Sequence, residues 1–249
     1  MLKVNALMIK SVDYADNDKI LTLFSLEQGV ISAKIRGVKK AGAKLKFAAE
    51  PFCFAEYVLT EGSLKSVANA SLTDSFYPLR EDLFRYYAAG AAAELVKRFC
   101  PENVVHAPLF LKTVRLLNAL AYTPVRAEGA LAWYLLGGLK EIGYSLQFDC
   151  CADCGAAPAR PFFDFNEGSV YCEECRKEGA AELSRDTYKL LKTLTCDELP
   201  EESFFAGLAV GRTYYLRALR LINRALLSAA GGELSSLREF IKLYDFAAV

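Results

Sequence analysis

From Leu2 to about Thr73, apolar and polar positions alternate in short runs that turn-forming residues separate. Alternation with a period of two is typical of half-buried β-strands, and these runs are rich in β-branched and aromatic residues. Five such strands predict a small closed or partly closed barrel, because closure removes exposed sheet edges. An OB-fold barrel is the leading candidate, although other small barrels fit the same count. The predicted strands cover residues 2–12, 16–26, 29–38, 51–60 and 63–72.

After Tyr77-Pro78 the apolar residues recur at helical spacing instead. The change predicts a domain boundary near residue 80 and an α+β multidomain chain. We expect an OB-fold nucleic-acid-binding barrel over 1–80 and an α-helical domain over 81–249, interrupted by a zinc-binding module at 148–178. The predicted helices cover residues 79–99, 108–121, 126–142, 184–194 and about 204–229.

The interruption carries two CxxC pairs, Cys151-x2-Cys154 and Cys172-x2-Cys175. Between them, two short β-rich runs flank Asn166-Glu167-Gly168, which indicates a hairpin that carries the second pair back to the first. Four thiolates at this spacing predict a closed tetrahedral site for structural Zn²⁺.

Three alternatives to this zinc assignment stay open. Cys150-x3-Cys154 is also an acceptable zinc spacing, and we prefer Cys151 for its symmetric x2 spacing. Disulfides or free thiols fit the clustering less well, given a chain of 249 residues without an evident secretory signal. An iron–sulfur cluster uses similar four-cysteine ligand sets.

The formal net charge is zero, so any attraction to nucleic acid must come from local clustering. Residues 28–49 contain no acidic side chain, and their basic residues surround Gly37 and Gly42. We expect a strand end followed by a flexible loop that binds phosphates, and the alternative is a solvated surface loop. The predicted DNA-binding residues are Lys34, Arg36, Lys39, Lys40, Lys44 and Lys46.

Aromatic residues of the barrel could stack bases, as single-strand binding requires, although most such residues are core. The candidates are Tyr14, Phe24, Phe47, Phe52, Phe54 and Tyr57. Gly37-x4-Gly42 is not a phosphate-binding P-loop, because Ala43 separates the glycine from Lys44 and no Ser or Thr follows.

Signs of catalysis are missing from the sequence. His106 is the single histidine, and neither a dinucleotide-binding fingerprint nor a nucleophile elbow occurs. We therefore expect a non-enzyme. No stretch approaches the ~20 apolar residues of a membrane helix, so we expect a cytoplasmic protein without a membrane partner.

Over nearly its whole length the chain resembles the RecO family of bacterial recombination mediators. The resemblance rests on SVDYADNDKILTLFSLEQG, AKIRGVKKAGAKL, SFYPLREDLFRYYAAGAAAELV, CADCG and YCEEC, in that order. It implies a non-catalytic, nucleoid-associated DNA-repair protein of the SOS response, with an OB fold, helical regions and a zinc-stabilised insert. Phosphate contacts are implied at Arg36, Lys39, Lys40 and Lys44, whereas Ala43 stands where the family commonly has serine.

The resemblance also implies partners. Family members bind single- and double-stranded DNA, anneal complementary strands, and act with RecR to load RecA onto strands covered by single-stranded DNA-binding protein. A surface for the acidic, apolar-ended tail of that coating protein is expected in the helical region. The candidates are Arg212, Arg217, Arg220 and Arg224, near Tyr214, Tyr215 and Leu216.

Two other classes of function stay open at this stage. One is a zinc-ribbon and OB-fold factor that binds RNA. The other is a non-catalytic scaffold whose barrel binds protein and whose basic loop is merely solvated.

Overall fold

The computed structural model describes residues 1–62, 64–199 and 211–246. The first five strands close into a barrel with the order β1-β2-β3-β5-β4, and β4 pairs back onto β1. Neighbours are antiparallel except β3 and β5, which pair in parallel through Ala33 with Lys65 and Lys34 with Ser66. The predicted OB-like barrel is thereby confirmed. Its strands are β1 (Leu2–Tyr14), β2 (Asp18–Ser25), β3 (Gly29–Ile35), β4 (Phe54–Thr60) and β5 (Lys65–Asp74).

Alternating side chains of these strands fill the barrel, because successive residues of a strand point to opposite faces. The interior is apolar and fully buried, so it stabilises closure through removal of apolar surface from water. Its members include Val4, Ala6, Met8, Leu21, Leu23, Ile31, Ala33, Ile35, Ala55, Tyr57 and Leu59.

Two helices, α1 (Leu83–Phe99) and α2 (Ala107–Tyr122), belong to the same compact unit as the barrel, Met1–Tyr122. The helix predicted from residue 79 begins at Leu83 instead, because the Asp82 side chain accepts a 3.1 Å hydrogen bond from the Arg85 amide and caps it. The change from strand to helix therefore lies near residue 80, but the division at 80 as a domain boundary stays a prediction.

Helix α2 packs on the barrel through Phe110. Its ring meets Phe24 edge to face at 5.4 Å between centroids and Phe54 at 6.0 Å. The connection between α1 and α2 also runs along β3, where the Asn103 amide donates to the carbonyl of Val30 at 2.9 Å.

The second unit spans Thr123–Val249. Its helices are α3 (Ala127–Glu141), α4 (Arg185–Leu194), α5 (Arg212–Ala230) and α6 (Ser235–Phe246). Between α3 and α4 lies a three-stranded sheet of β6 (Phe162–Asp164), β7 (Ser169–Tyr171) and β8 (Ala181–Glu182), in the order β7-β6-β8. The predicted hairpin is present, with Phe162 opposite Tyr171.

Helix α6 was not predicted, although Leu237, Phe240, Ile241 and Tyr244 recur at helical spacing and are buried. The predicted helix at about 204–229 is observed from Arg212 onward, and residues 204–210 lie outside the described residues. In the part of the chain that the structure describes, no helix combines the length and the hydropathy that crossing a bilayer requires.

Candidate functional site

The basic segment after β3 is a series of tight turns, and the flexibility that we expected of it stays a prediction. The Lys40 amide donates to the Gly37 carbonyl at 3.1 Å, Ala43 to Lys40 at 3.2 Å, and Lys46 to Ala43 at 3.3 Å. Gly37 begins the series with a φ of +64°, a left-handed conformation that glycine adopts without strain. Successive turns three residues apart keep the segment short and close to the barrel.

Apolar side chains anchor this segment at both ends. Val38 is buried in the barrel core, and Leu45 packs against that core from the other end. A 3-10 turn, Lys46–Ala49, then leads toward β4, and its Ala48 carbonyl accepts a 2.9 Å hydrogen bond from the buried Tyr57 hydroxyl. Burial, the largest cause, raises the pKa of Tyr57, so this hydroxyl stays a donor.

The turn between β1 and β2 holds the start of the basic segment through Asp18. One carboxylate oxygen of Asp18 accepts from the Gly37 amide at 2.8 Å, and the other lies 2.8 Å from Lys34 Nζ. The Lys34 hydrogen bond, followed by the Gly37 amide, holds the pKa of Asp18 below its ordinary value. The side chains of Asp18 and Lys34 are only 19% and 20% exposed. This ion pair is therefore better shielded from water than a pair on the open surface.

Lys39 is held by the same turn. Its Nζ lies 2.9 Å from the Asp13 carboxylate, and its amide donates to the Asn17 carbonyl at 3.1 Å. The Lys39 hydrogen bond and charge lower the pKa of Asp13. Two of the six predicted phosphate contacts, Lys34 and Lys39, are thus paired within the chain.

The other four predicted contacts, Arg36, Lys40, Lys44 and Lys46, are exposed. Among the residues that the structure describes, no carboxylate lies within ion-pair distance of any of them. Arg36 and Lys40 line a shallow concavity of about 420 Å³ together with Gly37 and residues 15–18 of the β1–β2 turn. The structure therefore places four of the predicted residues beside the β1–β2 turn and two, Lys44 and Lys46, further along the same segment. We call the surface formed by the basic segment and the β1–β2 turn the rim.

Sequence reasoning missed the residues that organise this rim, Asp13, Asn17 and Asp18. Their signal was available in DYADND, a turn-forming run with three carboxylates directly after a strand. Nothing in that run states that it meets the basic segment, since their approach depends on the register in which β1, β2 and β3 pair.

The second candidate site is the four-cysteine cluster of Cys151, Cys154, Cys172 and Cys175. Their sulfur atoms all lie within 4.8 Å of one another, and Cys154 Sγ is 3.8 Å from Cys172 Sγ. A tetrahedral site with Zn–S bonds of about 2.3 Å has sulfur–sulfur edges of roughly 3.8 Å. The cluster is therefore compatible with a metal ion, and Cys150, which is exposed, lies outside it.

The thiols of this cluster differ in acidity. Burial would raise the pKa of Cys151, but amides of Cys154, Cys172 and Asp153 point at its sulfur and lower the pKa to about 6. A hydrogen bond with Cys172, followed by burial, raises the pKa of Cys175 to about 12. The Cys151 thiolate therefore forms at lower pH than that of Cys175, and a cation bound at the cluster would stabilise both thiolates.

The module around the four-cysteine cluster contacts helix α5. The guanidinium of Arg224 lies 4.1 Å from the centroid of the Phe165 ring, and Ser228 Oγ lies 3.3 Å from Asn166 Oδ1. Within the module, Arg160 pairs with Glu173 and with Glu182, the latter at 3.0 Å. The hairpin tip and α5 are therefore in direct contact.

The four candidate arginines of α5 are all exposed, but their surroundings differ. Tyr215 and Leu216 are buried, and Arg212 reaches the buried carboxylate of Glu128 at 3.7 Å. Arg220 and Arg224 instead line a groove of about 260 Å³ between α5 and α6. The rest of its lining consists of Asn223, Leu227, Glu233, Arg238, Ile241 and Lys242.

Comparison with known protein families places these features in context. Residues 1–76 match the model of the recombination protein O N-terminal domain, and residues 80–238 match that of the C-terminal domain. The chain belongs to the recombination protein O family. The proposed resemblance to RecO is thereby confirmed, and membership supports a role in DNA repair and recombination.

Individual relatives agree with this assignment. The DNA repair protein RecO of Syntrophomonas wolfei is 29% identical over 199 residues, which cover 78% of each chain. The DNA repair protein RecO of Anaeromyxobacter sp. (strain K) is 34% identical over 181 residues, 70% of each chain. That of Clostridium novyi (strain NT) is 29% identical over 196 residues, 78% of this chain and 77% of the relative.

Proposed function

We propose that the chain is a non-catalytic recombination mediator that binds single- and double-stranded DNA and anneals complementary strands. With RecR, it helps to load RecA onto strands covered by single-stranded DNA-binding protein. The observation that carries the proposal is the rim of the barrel, where Arg36, Lys40, Lys44 and Lys46 are exposed on an anchored segment. Family membership supports the same reading.

The mechanism follows from phosphate neutralisation. Cations at the rim bind the backbones of two strands, release their condensed counterions, and reduce the repulsion between the strands. Because the contacts are to phosphates, the bases stay free to pair. No covalent bond is made or broken, so the reaction needs positioned charges and no catalytic group.

We further propose that the four-cysteine cluster holds Zn²⁺ in a structural role. All four ligand positions come from the chain, which leaves none for a substrate. The ion would fix the two CxxC turns and, through the hairpin, the contact of Phe165 with Arg224.

The groove between α5 and α6 is our candidate for the acidic, apolar-ended tail of single-stranded DNA-binding protein. It combines apolar walls at Leu227 and Ile241 with the cations of Arg220, Arg224 and Lys242. Leu227 is 52% exposed, so an apolar end group of the tail has a surface to cover. A charge swap at Arg224 and Lys242 should abolish tail binding and leave binding of naked DNA unchanged.

The proposed DNA contacts are tested by equilibrium binding to a single-stranded oligonucleotide over a salt series. Arg36→Glu/Lys40→Glu should weaken binding and make the slope of log K against log salt shallower by about 1.4, roughly 0.7 per lost phosphate contact. Arg115→Glu/Lys189→Glu is the matched control, because it makes the same charge change at exposed positions outside the basic segment. Equal slopes in the two variants would contradict the proposal.

The same assay separates the alternatives. A preference for structured RNA over single-stranded DNA would favour the RNA-binding factor. Binding that is absent or insensitive to salt would favour the protein scaffold.

A further inference from the structure

Tyr14 differs from the other aromatic residues of the barrel in its exposure. Its side chain stands at the end of β1, directly before the turn that holds the basic segment, and it is 46% exposed. The remaining candidates for base stacking are buried or half-buried, and they pack into the core or against α1 and α2. They are Phe24, Phe47, Phe52, Phe54 and Tyr57.

The Tyr14 ring is held in place by a charged pair. Lys34 Nζ lies 4.6 Å from the ring centroid, and the same ammonium is 2.8 Å from the Asp18 carboxylate. Asp18 itself sits opposite Tyr14 in the β1–β2 register. Since the ammonium covers one face of the ring, the exposed area belongs to the other face and the edge.

The strand register extends this surface. Val12, Ile20 and Lys34 lie opposite one another across β1, β2 and β3. Val12 shares the Tyr14 side of β1 because it is two positions before Tyr14, and alternate residues of a strand point to the same face. Val12 is 44% exposed. An exposed aliphatic side chain therefore adjoins the exposed aromatic ring on one face of the barrel.

The other end of the same face is covered. Ser32, which lies two residues before Lys34 on the same face of β3, donates a 2.8 Å hydrogen bond to Glu102 in the connection between α1 and α2. At the same end of the face, the Asn103 amide donates a hydrogen bond to the carbonyl of Val30. The open part of the face is thus the Tyr14 end, beside the concavity that Arg36 and Lys40 line.

We infer that Tyr14 stacks an unpaired base of single-stranded DNA, with Lys34 and Asp18 as the residues that position its ring. The inference rests on the proposed function and deepens it: the rim binds phosphates, and Tyr14 recognises that the strand is unpaired. Aromatic rings accept any base, because every base has a π face, so the contact gives strand preference without sequence preference. In this proposal Lys34 positions the Tyr14 ring and does not bind a phosphate.

The test compares three ligands of equal length: a single strand, the same backbone with abasic sites throughout, and a duplex. Tyr14→Ala should weaken binding to the single strand by on the order of tenfold, and it should leave binding to the other two ligands and the salt slope unchanged. Tyr14→Phe, which keeps the ring, should stay within about twofold of the wild type. Tyr77→Ala, at a tyrosine of the same unit that is 56% exposed, is the control.

Lys34→Gln has a separate readout. If Lys34 positions the ring, this variant lowers the preference for single strands over duplex and keeps the wild-type salt slope. A slope shallower by about 0.7 would instead identify Lys34 as a phosphate contact and overturn its positioning role.

Two results would overturn the role of Tyr14. One is wild-type affinity of Tyr14→Ala for all three ligands, and the other is an equal loss on the abasic strand, where no base can stack. Failure of the proposed function would give a different result. The wild type itself would then bind the single strand without salt dependence, and the role of Tyr14 would be overturned together with the proposed function.

Discussion

The amide of Gly37 donates a 2.8 Å hydrogen bond to the carboxylate of Asp18, which stands at the start of the neighbouring strand. The second carboxylate oxygen of Asp18 binds Lys34. Asp18 therefore connects the start of β2 to the end of β3, through Lys34, and to the start of the basic segment, through Gly37. A segment with no acidic residue of its own is in this way held by a carboxylate from elsewhere in the chain.

Asp18→Asn should lower the stability of the protein at pH 7. The folded-state pKa of Asp18 lies below the ordinary value of 3.8, because Lys34 and Gly37 bind its ionised form. This stabilisation is fully present above pH 3.8 and is lost as the pH falls through the folded-state pKa. Urea midpoints of wild type and variant should therefore differ at pH 7 and converge once the pH lies below the folded-state pKa of Asp18.

Asp16→Asn, a neighbouring exposed carboxylate with the same charge change, is the control for that experiment. An equal loss in both variants at pH 7 would show that net charge, and not the Asp18 contacts, sets the effect.

Asp13→Asn should strengthen binding to single-stranded DNA at low salt. The ion pair with Asp13 occupies the Lys39 ammonium at 2.9 Å, and its removal frees one cation beside the rim. One additional phosphate contact makes the salt slope steeper by about 0.7. Unchanged affinity together with an unchanged slope would mean that Lys39 does not reach the strand.

Gly29→Ala should destabilise the barrel far more than Gly37→Ala. Both glycines have positive φ, at +68° and +64°, but a Cβ at Gly29 would lie 1.8 Å from the carbonyl oxygen of Val104. A Cβ at Gly37 meets only the Lys40 side chain, at 3.7 Å. We expect costs of about 2–5 kcal/mol at Gly29 and about 1–2 kcal/mol at Gly37, measured by urea unfolding. Similar costs at both positions would contradict the close approach of the α1–α2 connection to β3.

Cys151→Ser/Cys172→Ser should release the metal and lower the melting temperature, because ligation of structural zinc is coupled to folding. Metal content by atomic absorption should fall from about one ion per chain to near none. Cys150→Ser is the control, since Cys150 is exposed and lies outside the cluster. Loss of metal in this control, with retention in the double variant, would reverse the ligand assignment.

The strands and the cysteine cluster were predictable because their signals are local. Alternation of apolar residues marks each strand, and the CxxC spacing fixes two ligands on one turn. The hairpin at Asn166-Glu167-Gly168 has an equally short-range signal, and the structure contains it.

The rim was only half predictable, because its geometry depends on contacts distant in sequence. The basic residues stand out in the sequence, but Val38 and Leu45, which turn a loop into an anchored segment, look like ordinary apolar positions. Asp18 meets Gly37 because the antiparallel pairing of β2 with β3, which sets Lys19 opposite Ile35, continues past the ends of the two strands. The burial of Val38 and Leu45 depends on the barrel core, to which all five strands contribute. Helix α6 is a different case, because the helical spacing of its apolar residues is visible in the sequence although the helix was not predicted.

The most direct test of the central claim is the annealing of complementary oligonucleotides precoated with the cognate single-stranded DNA-binding protein. We predict that the wild type accelerates annealing, that rising salt weakens the effect, and that Arg36→Glu/Lys40→Glu abolishes it while Arg115→Glu/Lys189→Glu does not. No acceleration by the wild type at any salt concentration would contradict the account.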